Sequence, residues 1–275
     1  DGYETPILTT VIRAANAYLR TENATVEGVG ISATGQIDDV NGVVIGTNGK
    51  IAHYEGAQLK ADTEQALHVP VWALNDANAA ALGELFVGGA RGYRQVVMLT
   101  LGTGVGGGLI LNGRLYSGAR GIAGELGHFT LYQNGVPCPC GKRGCLEEYA
   151  STTALIARAK RLTGRSGLDG RMIFEGVAQG DELLRQALDE WLDDVAAGIT
   201  GLVHIFNPEL VLIGGGVSAQ EKLLLEPLRA RVLSGVMPRF AEGLHISRAT
   251  LGNEAGMIGA AKYFMDCEKE KPIRG

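Results

Sequence analysis

The stretch Gln95–Gly113 (QVVMLTLGTGVGGGLILNG) constrains the fold more than any other part of the chain. Its apolar start, Gln95–Leu101, predicts a buried strand. Glycines at 102, 104, 106, 107 and 108 then predict a loop over Gly102–Gly108. A second strand is predicted at Leu109–Leu111, followed by the two-residue turn Asn112–Gly113. Gly102, Gly104 and Gly107 satisfy G-x-G-x-x-G, but a dinucleotide fingerprint opens a helix, and here a strand follows. No G-K-[ST] is present, so this is no Walker loop. Two readings of the unit remain: an anion nest of backbone N–H groups suited to phosphates, or a flexible hairpin.

Forty-one of the 275 residues are glycine, about twice the usual share of about 7%. Two further clusters fall at 118–127 and 214–216, and clustered glycine marks close backbone approach. The rest of the chain alternates helix and strand. Helices are predicted at Pro6–Leu19, Ala61–Leu67, Ala77–Phe86 and Glu254–Phe264. A long one carries Leu184, Leu188, Trp191, Val195, Ile199, Leu202 and Phe206 on one stripe. Strands are predicted at Val26–Ser32, Val69–Leu74 and Glu209–Ile213. Residues 122–145 read as irregular, helices resume over Leu146–Thr163, and Gly164–Gly170 reads as a surface loop. Such alternation is α/β architecture.

Charge and cysteine content narrow the class. Twenty-five basic against thirty acidic residues give a net charge of −5, which argues against a nucleic-acid-binding chain. No apolar run reaches the roughly 18 residues of a membrane helix. Three of the four cysteines fall within eight residues, a pattern of metal binding in a reducing, cytoplasmic setting rather than of a disulfide scaffold.

Three constellations carry chemistry. His128, Cys138, Cys140 and Cys145 (H-x9-C-x-C-x4-C) have the composition of a closed, structural zinc site; the alternative is three reduced, buried thiols beside an unrelated histidine. Asp76 sits where a strand meets a helix. It is either a helix N-cap or a carboxylate at a strand's carboxyl end, placed to accept a hydroxyl proton. Glu125 and Glu147 flank the cysteine loop, as solvated surface groups or as acceptors for a polyol.

Together these segments resemble the ROK family of bacterial sugar kinases and sugar-responsive repressors. The matching stretches are GISATGQID (30–38), LNDANAAALGE (74–84), LTLGTGVGGGLILNG (99–113), GIAGELGHF (121–129), CPCGKRGCLEEYAS (138–151) and LVLIGGGVS (210–218). The resemblance implies an actin-like (ribonuclease H-like) fold of two α/β lobes around a cleft. The lobes are expected at 1–79, completed by 265–275, and at 80–264, with the zinc loop at 128–145. It also implies ATP-dependent phosphorylation of a hexose hydroxyl, commonly the 6-position, and a homodimer. By position, Asp76 would be the catalytic base. Asn75, Glu125, His128 and Glu147 would contact the sugar, together with Gly35, Gln36, Asn48 and Gly104. Thr103, Gly104, Gly106 and Gly107 would face the ATP phosphates and Gly214–Gly216 the nucleoside, with Mg2+ bridging phosphates. His128 would serve both zinc and sugar, since its two ring nitrogens are distinct.

ROK kinases resemble one another in an N-terminal D-x-G-G-T loop and strands that this sequence does not contain. The expectation is therefore a first lobe short by about 30 residues, with an unpaired sheet edge, and weak phosphorylation by the chain as it stands. Glucose is the expected hexose, because the GELGH at 124–128 is similar to glucokinases, where some N-acetylmannosamine kinases resemble GHIGH. N-acetylmannosamine or N-acetylglucosamine is the rival substrate. The sugar-sensing module of a ROK repressor is the rival class, expected if a recognition-helix domain of about 80 residues precedes Asp1.

Overall fold

The computed structural model describes residues 6–22, 25–47 and 51–270. The first part runs α1 (Ile7–Glu22), β1 (Val29–Ala33), β2 (Gln36–Asp38), β3 (Val43–Gly46), α2 (Leu59–Leu67), β4 (Val71–Asn75) and α3 (Asp76–Val87). It continues with β5 (Val96–Leu101), β6 (Val105–Leu111), β7 (Arg114–Leu115), α4 (Glu147–Ala150), α5 (Thr152–Thr163), α6 (Gly170–Ala178) and α7 (Glu182–Phe206). The last elements are β8 (Leu210–Gly214), α8 (Glu226–Gly235), α9 (Pro238–Ala241), β9 (His245–Arg248) and α10 (Ala255–Glu270).

The larger sheet has the order β7-β6-β5-β8-β9, with β5, β8 and β9 parallel and β6 and β7 antiparallel. Every residue of β8 (LVLIG) is buried, because helices cover both faces of a parallel strand. Alternation along β5 divides the core. Val97, Leu99 and Leu101 join the α7 stripe, whereas Val96 and Met98 pack with Ala81 of α3. The α7 stripe is buried from Leu184 through Trp191 to Leu202. Asp181 caps the helix by accepting the N–H groups of Leu183 and Leu184, and left-handed Asn207, followed by Pro208, ends it.

In the first lobe β1 pairs in parallel with β4, from Val29↔Val71 to Ala33↔Asn75, and β2–β3 form a hairpin. The return of the C-terminal chain begins earlier than residue 265. Ala260 of α10 already packs with Leu74 of β4 and Ala79 of α3, and the Trp72 indole donates to Glu268 at 2.7 Å. Residues 271–275 lie outside the described residues. The expected division at 79/80 falls inside α3, which packs on both β4 and β6.

Helices α3 and α10 cross at unusually short range. A Cβ on Gly259 would stand 1.7 Å from the Ala79 carbonyl oxygen. Gly259→Ala should therefore force the helices apart and cost about 1–3 kcal/mol. A fall of several degrees in Tm is expected; an unchanged Tm would contradict the packing described.

The glycine loop is the main correction to the sequence reading. Only Gly102–Gly104 form the turn, and Gly106–Gly108 lie inside β6, paired with Thr100, Leu99 and Met98. A Cβ would meet Ala77 at 2.9 Å from Gly106, Leu126 at 2.4 Å from Gly107 and Ala81 at 2.5 Å from Gly108. These glycines let α3 and the 124–126 segment press onto the strand, so they serve packing rather than loop flexibility.

Candidate active site

Asp76 opens α3 directly after the carboxyl end of β4. It is not the helix cap. That role falls to Asn75, whose Oδ1 accepts the N–H groups of Ala77 and Asn78 at 2.9 and 3.2 Å, while its Nδ2 donates to the Gly35 carbonyl at 2.9 Å. The Asp76 carboxylate accepts the Ala77 N–H at 2.8 Å, which fixes its direction. The residue as a whole is exposed to solvent, while its carboxyl is crowded by neighbouring protein. Burial among the surrounding walls pushes its carboxyl above the ordinary 3.8, outweighing the stabilising N–H donors.

Three acidic side chains converge. Burial raises the Glu125 carboxyl; His128 opposes the shift, and the nearby charges of Asp76 and Glu147 add to it. Residues far apart in sequence thus feel one another's field. Glu147, the first residue of α4, accepts the Val105 N–H at 2.8 Å, so the start of β6 and the end of the cysteine loop share a hydrogen bond. Tyr54, which the sequence reading missed, has its phenol raised first by burial and then by the nearby charge of Asp76.

The four expected metal ligands lie together. All ligand atoms of His128, Cys138, Cys140 and Cys145 fall within 4.8 Å of one another. His128 Nδ1 is 3.7 Å from Cys138 Sγ, and Cys140 Sγ is 3.5 Å from Cys145 Sγ. A tetrahedral zinc with Zn–S bonds of about 2.3 Å spaces its sulfurs about 3.8 Å apart, so the donor set fits that ion. The other ring nitrogen, Nε2, lies 3.9 Å from Glu125 Oε2. The loop is tied to the large lobe by the Tyr132 hydroxyl, which donates to Asp194 at 2.6 Å and whose phenol is pushed up to about 12 by that bond.

Beside the acidic cluster a cavity of about 670 Å³ opens at the carboxyl ends of β5 and β8, within the size range of small-molecule sites. Gly102, Thr103, Thr152, Thr153 and Gly216 line one part of it, and Ile156, Phe174 and Leu223 are apolar lining groups. Polar backbone with an apolar slot suits a phosphate-bearing aromatic ligand.

A sequence profile of the ROK family matches residues 2–266. This chain belongs to the ROK family. It is 37% identical to the glucokinase of Thermotoga maritima over 251 residues, covering 86% of this chain and 79% of that enzyme. It is 30% identical to the xylose repressor of Bacillus spizizenii, covering 88% of this chain and 63% of the repressor. The solved ROK glucokinase of Streptomyces griseus, in complex with glucose and AMPPNP, superposes with a TM-score of 0.78 at 33% identity, over 93% of this chain and 87% of that one. The fold is accordingly the actin-like, two-lobed sugar kinase fold of the family.

Within this ROK fold the structure brings together Asp76, Glu125, His128, Glu147 and Gly104. Gly35, at φ 90°, stands beside Asn75, and Gln36 begins β2 next to it. Asn48 lies outside the described residues. Thr103 and Gly216 line the cavity, Gly214 ends β8, and Gly215 turns the chain at φ 91°. Thr152, Thr153, Ile156 and Phe174 also line it and escaped the sequence reading. The Thr-Thr pair after Ser151, which caps α5 by accepting the Ala154 N–H, was the available signal.

Proposed function

We propose that this ROK-family protein transfers the γ-phosphoryl group of ATP to a hexose hydroxyl, with glucose as the preferred acceptor and glucose 6-phosphate as product. The observation that carries the reading is the convergence of Asp76, Glu125, His128 and Glu147 beside a cavity that shares the Gly102–Gly104 turn. Carboxylates accept hydrogen bonds only, so a cluster of three selects a ligand rich in hydroxyl donors. The likeness to glucokinases supports glucose.

In this reading Glu125, His128 and Glu147 hold the sugar, and Asp76 receives the proton of the attacking hydroxyl. The hydroxyl oxygen bonds to the γ-phosphorus as the bridge to the β-phosphate breaks, and ADP leaves. The Thr103–Gly104 backbone and Gly216 face the phosphates, the apolar lining receives the base, and Gly106 and Gly107 supply close packing beneath the turn. Mg2+ supplies charge neutralisation between phosphates when bound. His128, Cys138, Cys140 and Cys145 would hold Zn2+, which closes the loop structurally; four protein ligands leave no open position for substrate. Reduced thiolate ligands support a cytoplasmic setting. Among the described residues no helix is long and apolar enough to cross a membrane.

ADP release by the protein, measured with glucose, mannose, N-acetylmannosamine and N-acetylglucosamine, tests the reading. The highest kcat/KM is expected with glucose. Preference for an N-acetylhexosamine would reassign the substrate, and sugar binding without sugar-dependent ADP release would favour a sensor over a kinase.

A further inference from the structure

Glu125 stands on an irregular segment, so contacts from outside that segment set where its carboxylate lies. Asn78, in the first turn of α3, supplies them. Its Nδ2 donates to the Ala123 carbonyl at 3.1 Å, across 45 positions of sequence. Gly124, at φ 97°, presses against the same side chain. A Cβ there would stand 2.7 Å from Asn78 Oδ1 and 3.0 Å from the Gly107 carbonyl oxygen. The Leu126 N–H then donates back to the Gly124 carbonyl at 2.6 Å, which closes the turn around Glu125. On the helix side, the Asn78 N–H donates to Asn75 Oδ1 at 3.2 Å, next to the Ala77 N–H that also meets Asp76. One amide side chain therefore touches both residues that precede Glu125 and belongs to the helical turn that carries Asp76.

Packing alone does not call for an amide at this position. Asn78 is 3% exposed, and its Oδ1 has no hydrogen-bond partner among the described residues. An unmatched buried acceptor costs stability, and a leucine of similar volume would fill the space without that acceptor. A carboxylate would face the Ala123 carbonyl with acceptors only and add a negative charge beside Asp76, Glu125 and Glu147. The amide supplies what neither alternative does, a donor to the loop without a charge.

We infer that Asn78 is a positioning residue for the sugar: by holding the Ala123 carbonyl, it sets the Glu125 carboxylate against Asp76. This rests on the sugar reading of Glu125 given above. Loss of the bond frees the turn before Glu125, and a displacement of about 1 Å can cost about 10²-fold in rate.

Steady-state kinetics of the zinc-loaded protein with glucose and Mg-ATP test this through a double-mutant cycle. Asn78→Leu should lower kcat/KM for glucose by about 10-fold or more. The KM for ATP should stay within about two-fold of wild type, the scatter expected of independent sites. The variant should keep its zinc and melt within a few degrees of wild type. In a Glu125→Ala background the same substitution should cost about three-fold or less, because the group that Asn78 positions is gone. A merely structural residue would give the full loss in both backgrounds. Asn78→Asp keeps the shape, removes the donor and should show the same split; it serves if the leucine variant folds poorly. Equal losses with and without Glu125, or a glucose kcat/KM within about two-fold of wild type in either folded variant, would overturn the inference and leave the kinase reading standing. Absence of glucose-dependent ADP release by the wild type would remove the kinase reading itself, and the inference with it.

Discussion

Asp76→Asn should lower kcat by about 10²–10⁴-fold while leaving the glucose Kd within a few-fold of wild type, the pattern expected when a general base is removed. The loss corresponds to about 3–5 kcal/mol of transition-state stabilisation. Asparagine keeps the shape and the bond from the Ala77 N–H but cannot take the hydroxyl proton. The pH dependence carries the same signature. Burial holds the Asp76 carboxyl above its ordinary 3.8, and the base works only when ionised. Activity should therefore fall as pH drops through that raised value, and this acid limb should vanish in the variant. Stability moves the other way. A carboxyl whose pKa is raised by folding binds its proton more tightly in the folded state, so the ionised group opposes folding at neutral pH. The variant should melt at or above the wild-type Tm at pH 7. A variant that loses both activity and several degrees of Tm would show Asp76 to be structural.

Cys140→Ala should release the metal and weaken glucose binding in the same sample. Cys140 is exposed, unlike Cys138 and Cys145, so its truncation removes a ligand without opening a core cavity. Loss of outer-shell partners alone costs about 10–100-fold in metal affinity, and loss of a thiolate ligand should exceed that. The metal would bind His128 Nδ1 among the cysteines and so hold Nε2 towards Glu125, and its loss removes that restraint. Glucose affinity should then drop about tenfold or more, equivalent to losing about 1.4 kcal/mol. A chelator acting on the wild type should reproduce both effects. If the alanine variant kept one zinc per chain, the ligand set would be wrong.

The parts of the site that are local in sequence were legible in the sequence. His128 and the three cysteines fall within 18 positions of one another, and soft ligands at such spacing restrict the chemistry by themselves. Asp76 was legible because β4 and α3 meet there without a connecting loop, although its neighbour Asn75 proved to be the cap. The convergence of Asp76 with Glu125 and Glu147 was expected only through the family resemblance; spacing and periodicity carried no sign of it. It depends on α3 and the 124–126 segment pressing on β6 through Gly106–Gly108, a contact that no periodicity announces. The same glycines hid the strand, since residues without side chains show no alternation of polar and apolar faces. The α6 wall of the cavity, with Phe174, and the segment from α8 to β9 likewise carried no pattern that the sequence reading used.

Phosphorylation in this site requires that one hexose hydroxyl be delivered to Asp76. The most direct measurement is nuclear magnetic resonance of the products that the protein forms from glucose and Mg-ATP. Glucose 6-phosphate and ADP are expected in equal amounts, with neither formed by Asp76→Asn at a comparable rate. ADP accumulating without a sugar phosphate, or phosphate attached at another hydroxyl, would contradict it.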